Sequence, residues 1–394
     1  MIGRSAAIAM FLASIAFSGH VQAGGPLQVR GNGQPYVWST AADIQYRTDN
    51  GPLSGTVSES SAQSRVVAMF NVWESVPTAS IAYNRAGFIS AVGAFAGGDV
   101  DTPAEYAAVE NDCFNGNQSP VVYDQDGSII VDLGLDETSV IGFAGPCAAT
   151  ASNIVSGRIV MNGRFQGGPS GISAAEFDAA IIHEIGHFSG LDHSQINVNC
   201  LGGCGADDLA GLPTMFPLLL DSSQGALSTD DVAWISRLYP APSFATAYGT
   251  ISGVVLFSDG DSHAQLVNVI ARPLDTGQNQ DRAMAVSSAS GIRFRVIHGN
   301  PITNPAPSAD GTEAPGDIGL FEIPVPAGSY TLEVESIHPA FDAGSSIGGP
   351  VLIPMPGSAP APVGPVIVPA GTTVSGNDVI LIGTPPRFDQ FEGP

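Results

Sequence analysis

Three of the chain's seven histidines fall within eleven residues, His183-Glu184-Ile185-Gly186-His187-Phe188-Ser189-Gly190-Leu191-Asp192-His193. On a helix, His183 and His187 stand one turn apart, so both imidazoles leave the same face and can meet one zinc ion at roughly 2.0–2.1 Å. Glu184 sits beside them, placed to reach a water at that ion rather than the ion itself, and so to act as a general base. Past His187 the chain must turn sharply to return a third nitrogen, and Gly190 is where such a turn costs least. His193 then completes three neutral nitrogen ligands. Three protein ligands leave a fourth position open, which marks a catalytic rather than a structural zinc site.

The elements that must hold this constellation can be read on either side of it. Ser173 and Glu176 form a capping box, predicting a helix from residue 174 to about 189 that stops at Gly190. A second capped helix is expected to begin at Ser228, with Asp230 and Asp231 in its first turn and Val232, Ile235 and Leu238 buried, ending at Pro240. Upstream, residues 42–46 read as a strand. Residues 62–75 read as a helix with Val66, Phe70 and Trp73 on one face. From 85 to about 168 runs a glycine-rich, acid-bearing region with strand-like pieces at 121–123, 128–131 and 158–161.

After Tyr239-Pro-Ala-Pro-Ser-Phe244 the character changes to short β-rich runs between glycine and proline turns, which marks a domain boundary. Strands are expected at 249–256, 266–272, 291–296, 320–325, 329–335 and 374–382, giving an antiparallel β-sandwich. The proline-rich stretch 350–369 cannot join a central strand and reads as an extended surface loop.

The H-E-x-x-H-x-x-G-x-x-H pattern at 183–193 resembles the metzincin signature. Ser194 after the third histidine, and Pro213-Thr-Met-Phe-Pro217 downstream, are similar to the matrixin branch, in which Met215 would belong to a methionine turn beneath the zinc. Residues 38–51, 67–76 and 227–239 add to the likeness, which covers most of 36–240. The resemblance implies an α+β zincin-like catalytic domain, a mixed twisted sheet with an active-site helix and a C-terminal helix, followed by an all-β sandwich. It also implies peptide-bond hydrolysis of protein or peptide substrates, with Glu184 as the base, His183, His187 and His193 holding one catalytic zinc, and Gly190 and Met215 supporting the site. The chain departs from the branch in two respects. Its other histidines, His20, His263, His298 and His338, lie in the N-terminal leader or the second domain, so a histidine-bound structural zinc is not expected. Nor is latency by a prodomain cysteine switch. The second domain, with Gly249-Thr-Ile-Ser-Gly-Val-Val255 and Pro326-Ala-Gly-Ser-Tyr-Thr-Leu332, resembles the transthyretin-like (carboxypeptidase regulatory-like) sandwich appended to some secreted peptidases.

Composition narrows the setting. Arg4, an apolar run over 6–17 and Val21-Gln-Ala23 read as an export signal over 1–23, so the expected layout is a signal at 1–23, a peptidase domain at 24–240, a linker at 241–248 and a sandwich at 249–394. No later run suffices for a membrane span. Four cysteines fit an oxidising destination. They allow three pairings; Cys113 with Cys147 and Cys200 with Cys204 is favoured, because the second pair would pin the loop Cys200-Leu-Gly-Gly-Cys204, while a zinc held by all four thiolates competes. A net charge of −24 makes nucleic acid a poor partner and suits either a solvated acidic surface or calcium binding. Asp124, Asp126 and Asp132, with Asp136 beyond, are the candidate calcium ligands, against a plain acidic turn. Asp259-Gly-Asp261 reads as a hairpin turn. A secreted monomer is expected, extracellular or else periplasmic or at the cell surface. Two rival functions remain open at this level: a catalytically silent adhesion or binding protein on the same scaffold, and a zinc hydrolase of a non-peptide substrate.

Overall fold

The computed structural model describes residues 8–9, 25–30, 33–167, 171–194, 196–197, 200, 203, 205–264, 267–274, 283–291, 319–336 and 359–383. The chain divides into two compact units. The first comprises Met1–Ile15, Tyr36–Gly190 and Pro217–Leu227; the second comprises Ala16–Pro35, Leu191–Phe216 and Ser228–Pro394.

The first unit is built on a mixed sheet. Its strands are β1 (Val37–Trp38), β2 (Ile44–Thr48), β3 (Tyr83–Phe88), β4 (Pro120–Asp124), β5 (Gly142–Ala149) and β6 (Asn153–Asn162). They run in the order β1-β6-β4-β2-β3, all parallel, with β5 added antiparallel to β6. The central strand β4 is buried along its whole length, as expected where a parallel sheet is covered on both faces.

Helix α1 (Glu59–Glu74) starts earlier than periodicity alone suggests, because the Ser58 hydroxyl accepts the Ser61 amide and opens the helix three residues sooner. Its buried face is Ala62, Val66, Phe70 and Trp73. That face meets helix α4 (Ala174–Phe188): the Trp73 indole donates to the Ile182 carbonyl at 2.8 Å, and the Phe70 ring sits edge-on to Phe188 with centroids 5.7 Å apart. On the sheet side, Tyr46 stacks on Phe70 at 3.9 Å.

Two elements differ from the sequence expectation. Residues 103–114, within the region read as glycine-rich loop and strand, form α2 (Pro103–Phe114), capped by Thr102 with proline in its first turn and burying Tyr106, Val109 and Cys113. Residues 128–131, read as a strand from Ile-Ile-Val, form the single-turn helix α3 (Ser128–Asp132). The Asp124 carboxylate accepts the Ile130 amide at 2.9 Å and Gly127 takes φ 82°, so local capping overrides the β-branched propensity. Cys113 and Cys147 form a disulfide joining α2 to β5 across 34 residues. Cys200 is also disulfide-bonded; its expected partner, Cys204, lies outside the described residues.

The second unit holds helices α5 (Ala206–Ala210) and α6 (Thr229–Leu238) and two four-stranded sheets. One orders β9 (Val286–Ala289), β8 (Val267–Pro273), β11 (Gly328–Ser336) and β12 (Val363–Val368), all antiparallel. The other pairs β7 (Tyr248–Leu256) with β10 (Leu320–Pro326) antiparallel, and with the short β13 (Thr373–Val374) and β14 (Val379–Ile380) parallel. The strand expected at 291–296 falls mostly outside the described residues, and the ladder is supplied instead by 286–289. Part of the proline-rich stretch is a strand and not a loop: β12 carries Pro365 and lies at the sheet edge, where a residue without an amide hydrogen is tolerated. The strand expected over 374–382 is broken in two around Gly376, whose φ is 77°.

Candidate metal centre

Helix α4 is assembled as its sequence implies. The Ser173 hydroxyl accepts the Glu176 amide at 3.2 Å while Glu176 Oε2 accepts the Ser173 amide at 2.8 Å. From Ala179 to Phe188 every residue of the helix is buried, so its chemistry-bearing side chains sit inside the protein. Its last turn is tied down on several sides. The Trp38 indole donates to the Phe188 carbonyl at 2.8 Å, Ser189 Oγ donates to the Ile185 carbonyl at 2.6 Å, and Tyr83 Oη lies 2.6 Å from Ser189 Oγ. The Trp38 indole thereby satisfies a carbonyl that a helix terminus otherwise leaves unpaired. Gly190 then adopts φ 89°, and its amide bonds the His187 carbonyl at 2.9 Å.

His183, His187 and His193 are all at most 1% exposed, and each offers a ring nitrogen within 4.8 Å of the others. Among the described residues no other group of three histidine, cysteine or acidic side chains converges in this way. His183 Nε2 and His187 Nε2 are 3.0 Å apart. Two nitrogens held about 2.0–2.1 Å from one tetrahedral ion stand about 3.3 Å apart, so the pair is spaced for a shared ion.

Glu184 is 1% exposed and its Oε2 has no hydrogen-bond partner. Burial pushes its carboxyl well above the ordinary carboxylate range. A cation alongside reverses that penalty. The orphaned carboxylate oxygen and the three convergent imidazoles thus fit a bound metal ion.

The third histidine is held by a backbone relay. Next to His193, the Ser194 amide donates to the Met215 carbonyl at 2.8 Å. The Met215 amide in turn donates to Asp231 Oδ1 at 3.0 Å, and the amides of Thr214 and Ser228 donate to Asp231 Oδ2 at 2.8 and 2.7 Å. Asp231 is buried, and burial raises its carboxyl while these three amides pull it back down. Its neighbour Asp230, raised by burial to about 8, accepts the Ser287 amide at 2.8 Å.

In the sequence both acids fall in the first turn of a capped helix, where they suit the helix dipole; their inward aim depends on tertiary partners elsewhere in the chain. Ile235 and Leu238 are buried as expected, whereas Val232 is only half-buried.

The acidic candidates do not converge on a cation site. The Asp124 carboxylate is engaged by the Ile130 amide, Asp126 Oδ1 accepts the Ser128 amide at 2.9 Å, and Asp132 is exposed at the end of α3. Asp124 and Asp126 cap a turn. Asp259 does the same in the second unit, accepting the amides of Asp261 and Ser262. Among the described residues no helix is long and apolar enough to cross a membrane.

Compared with known proteins, the chain is matched by no family model and by no curated protein sequence.

Proposed function

We propose that the protein is an exported zinc-dependent endopeptidase. The observation that carries the reading is the convergence of three buried histidine nitrogens, with the partnerless Oε2 of Glu184 on the same helix turn as the first of them. The spacing of the signature supplies the reaction class. The disulfide and the lack of a spanning helix among the described residues are compatible with export.

His183 and His187 from α4, and His193 from beyond Gly190, would hold the ion. Bound there, zinc acidifies water and polarises a carbonyl. Glu184 accepts the proton of the attacking water and delivers it to the leaving amine, so one carboxyl serves as base and then as acid. The apolar packing around α4, with Phe177, Ile185 and Phe188 fully buried, keeps this carboxyl away from bulk solvent that would compete for its proton.

The test is Glu184→Gln assayed on a quenched peptide library with and without chelator. The variant is expected to bind zinc as the parent does and to lose hydrolysis by at least a hundredfold. Full activity in Glu184→Gln would overturn the mechanism, and chelator-sensitive activity confined to esters or non-peptide amides would overturn the substrate class.

A further inference from the structure

The segment Leu191–Phe216, which carries His193 and Met215, belongs to the same compact unit as the two four-stranded sheets. Its contacts there are specific. Ile196 is buried in a cluster with Ile270 of β8 and Ala285, just ahead of β9. Asn197, at φ 61°, uses both ends of its side chain: Nδ2 donates to the Asp208 carbonyl at 3.1 Å, and Oδ1 accepts from Arg272 Nη2 at 3.3 Å. Arg272, on β8, is itself fixed by Glu333 of the neighbouring β11 at 2.7 Å.

Ser287 is the second point of attachment. It lies on β9, the edge strand of its sheet, opposite Ile270 of β8. An edge strand presents unpaired amide and carbonyl groups, and Ser287 is fully buried, so both need partners from elsewhere. Helix α6 supplies both. Asp230 accepts the Ser287 amide at 2.8 Å, and the Trp234 indole donates to the Ser287 carbonyl at 2.7 Å. Ser194 Oγ lies 3.5 Å from Ser287 Oγ, which brings the residue after the third histidine to the same point. A module that served only as a spacer would not leave a buried edge strand to be completed by the helix whose next acid, Asp231, holds the methionine turn.

We infer that the β-sheets of the second unit grip the Leu191–Phe216 segment and thereby set the position of His193, with Asn197 and Trp234 as positioning residues that never touch the ion. This rests on the zinc reading for its consequence, but not for the packing itself.

The test uses the full chain. A site for a specific protease is inserted at residues 241–243, where Pro242 and Ser243 are exposed, and the protein is cut after purification. The two pieces are expected to co-elute and to bind zinc within twofold of the uncut chain; separation accompanied by loss of zinc would support the inference equally. Separation with zinc affinity unchanged would overturn it. In the uncut chain, Asn197→Gly keeps the backbone free to adopt its positive φ while deleting the links to Asp208 and Arg272, and Trp234→Phe keeps an aromatic ring while deleting the bond to Ser287. Each is expected to weaken zinc at least fivefold by chelator competition, to alter the visible spectrum of the cobalt(II)-substituted protein, and to speed amide exchange in 191–216 but not in α1. A change of stability alone would leave the cobalt spectrum as it was. Unchanged affinity, spectrum and exchange in both variants would overturn the inference. A parent chain that binds neither zinc nor cobalt would refute the metal reading, and exchange in 191–216 would still decide the docking.

Discussion

Asp231 accepts the backbone amide of Met215 at 3.0 Å, and Met215 in turn accepts the amide of Ser194, the residue beside the third histidine. A single buried carboxylate on α6 thus governs a turn sixteen residues earlier in the chain. Asp231→Ala strands the amides of Thr214, Met215 and Ser228 without an acceptor. At about 1–3 kcal/mol for each buried donor left unpaired, partly relieved by entering water, the expected loss is on the order of 4 kcal/mol. Urea unfolding measures it. Zinc affinity should fall with it, whereas an unchanged midpoint would show that the carboxylate does not hold the turn.

Asp49 makes the stability of the first unit depend on pH. Its carboxyl is fully buried, accepts the amides of Gly51, Val100 and Tyr123, and is raised by burial from 3.8 to about 7, with the nearby Asp99 also pushing it upward. A raised folded-state pKa means that the folded chain holds its proton more tightly than the unfolded chain. Its contribution is therefore complete below about pH 4 and is lost as pH rises toward 7, on the order of a few kcal/mol. Unfolding followed across pH 4–7 should show a steeper downward slope in the parent than in Asp49→Asn, the slope left in the variant coming from other carboxyls raised by burial, Asp230 among them. Equal slopes in the two proteins would show that Asp49 does not contribute.

Metal removal should act on the whole chain through the three histidines. A ligand that binds only the folded state, present at 1,000 times its dissociation constant, adds about 4 kcal/mol of stability. Chelator is therefore expected to lower the melting temperature of the parent by several degrees and to leave that of His187→Ala unmoved. An equal shift in both proteins would place the metal elsewhere.

The parts of the site that lie within one helix or one turn could be read from the sequence, because their logic is local. The capping box of Ser173 and Glu176, the one-turn spacing of His183 and His187, and the positive φ of Gly190 each involve neighbours a few residues apart. The Ser228 cap of α6 was legible for the same reason. Helix α2 was obscured because its Tyr106, Val109 and Cys113 stripe is short and set among glycines and acids. Helix α3 was obscured because Ile129-Ile130-Val131 carries strand propensity, and only the Asp124 carboxylate and Gly127 turn it into a helix. The roles of Asp230 and Asp231 were out of reach. Nothing near them in the sequence distinguishes a solvated first-turn acid from one that binds Ser287 or Met215.

Gly190 joins the two halves of the ligand set, and its backbone leaves little choice of residue. At φ 89° it lies in the left-handed region, where a Cβ costs roughly 1–2 kcal/mol. Gly190→Ala can keep this conformation and take the strain, or relax it and rotate the chain that leads to His193. The helix end is pinned by Trp38 and Ser189, so relaxation must fall on the outgoing side. The expected result is a modest loss of stability, about 1–2 kcal/mol, together with at least a tenfold loss of zinc affinity. Chelator competition alongside urea unfolding separates the two effects. If stability falls and affinity holds, the turn at Gly190 serves the fold alone and His193 finds its place without it.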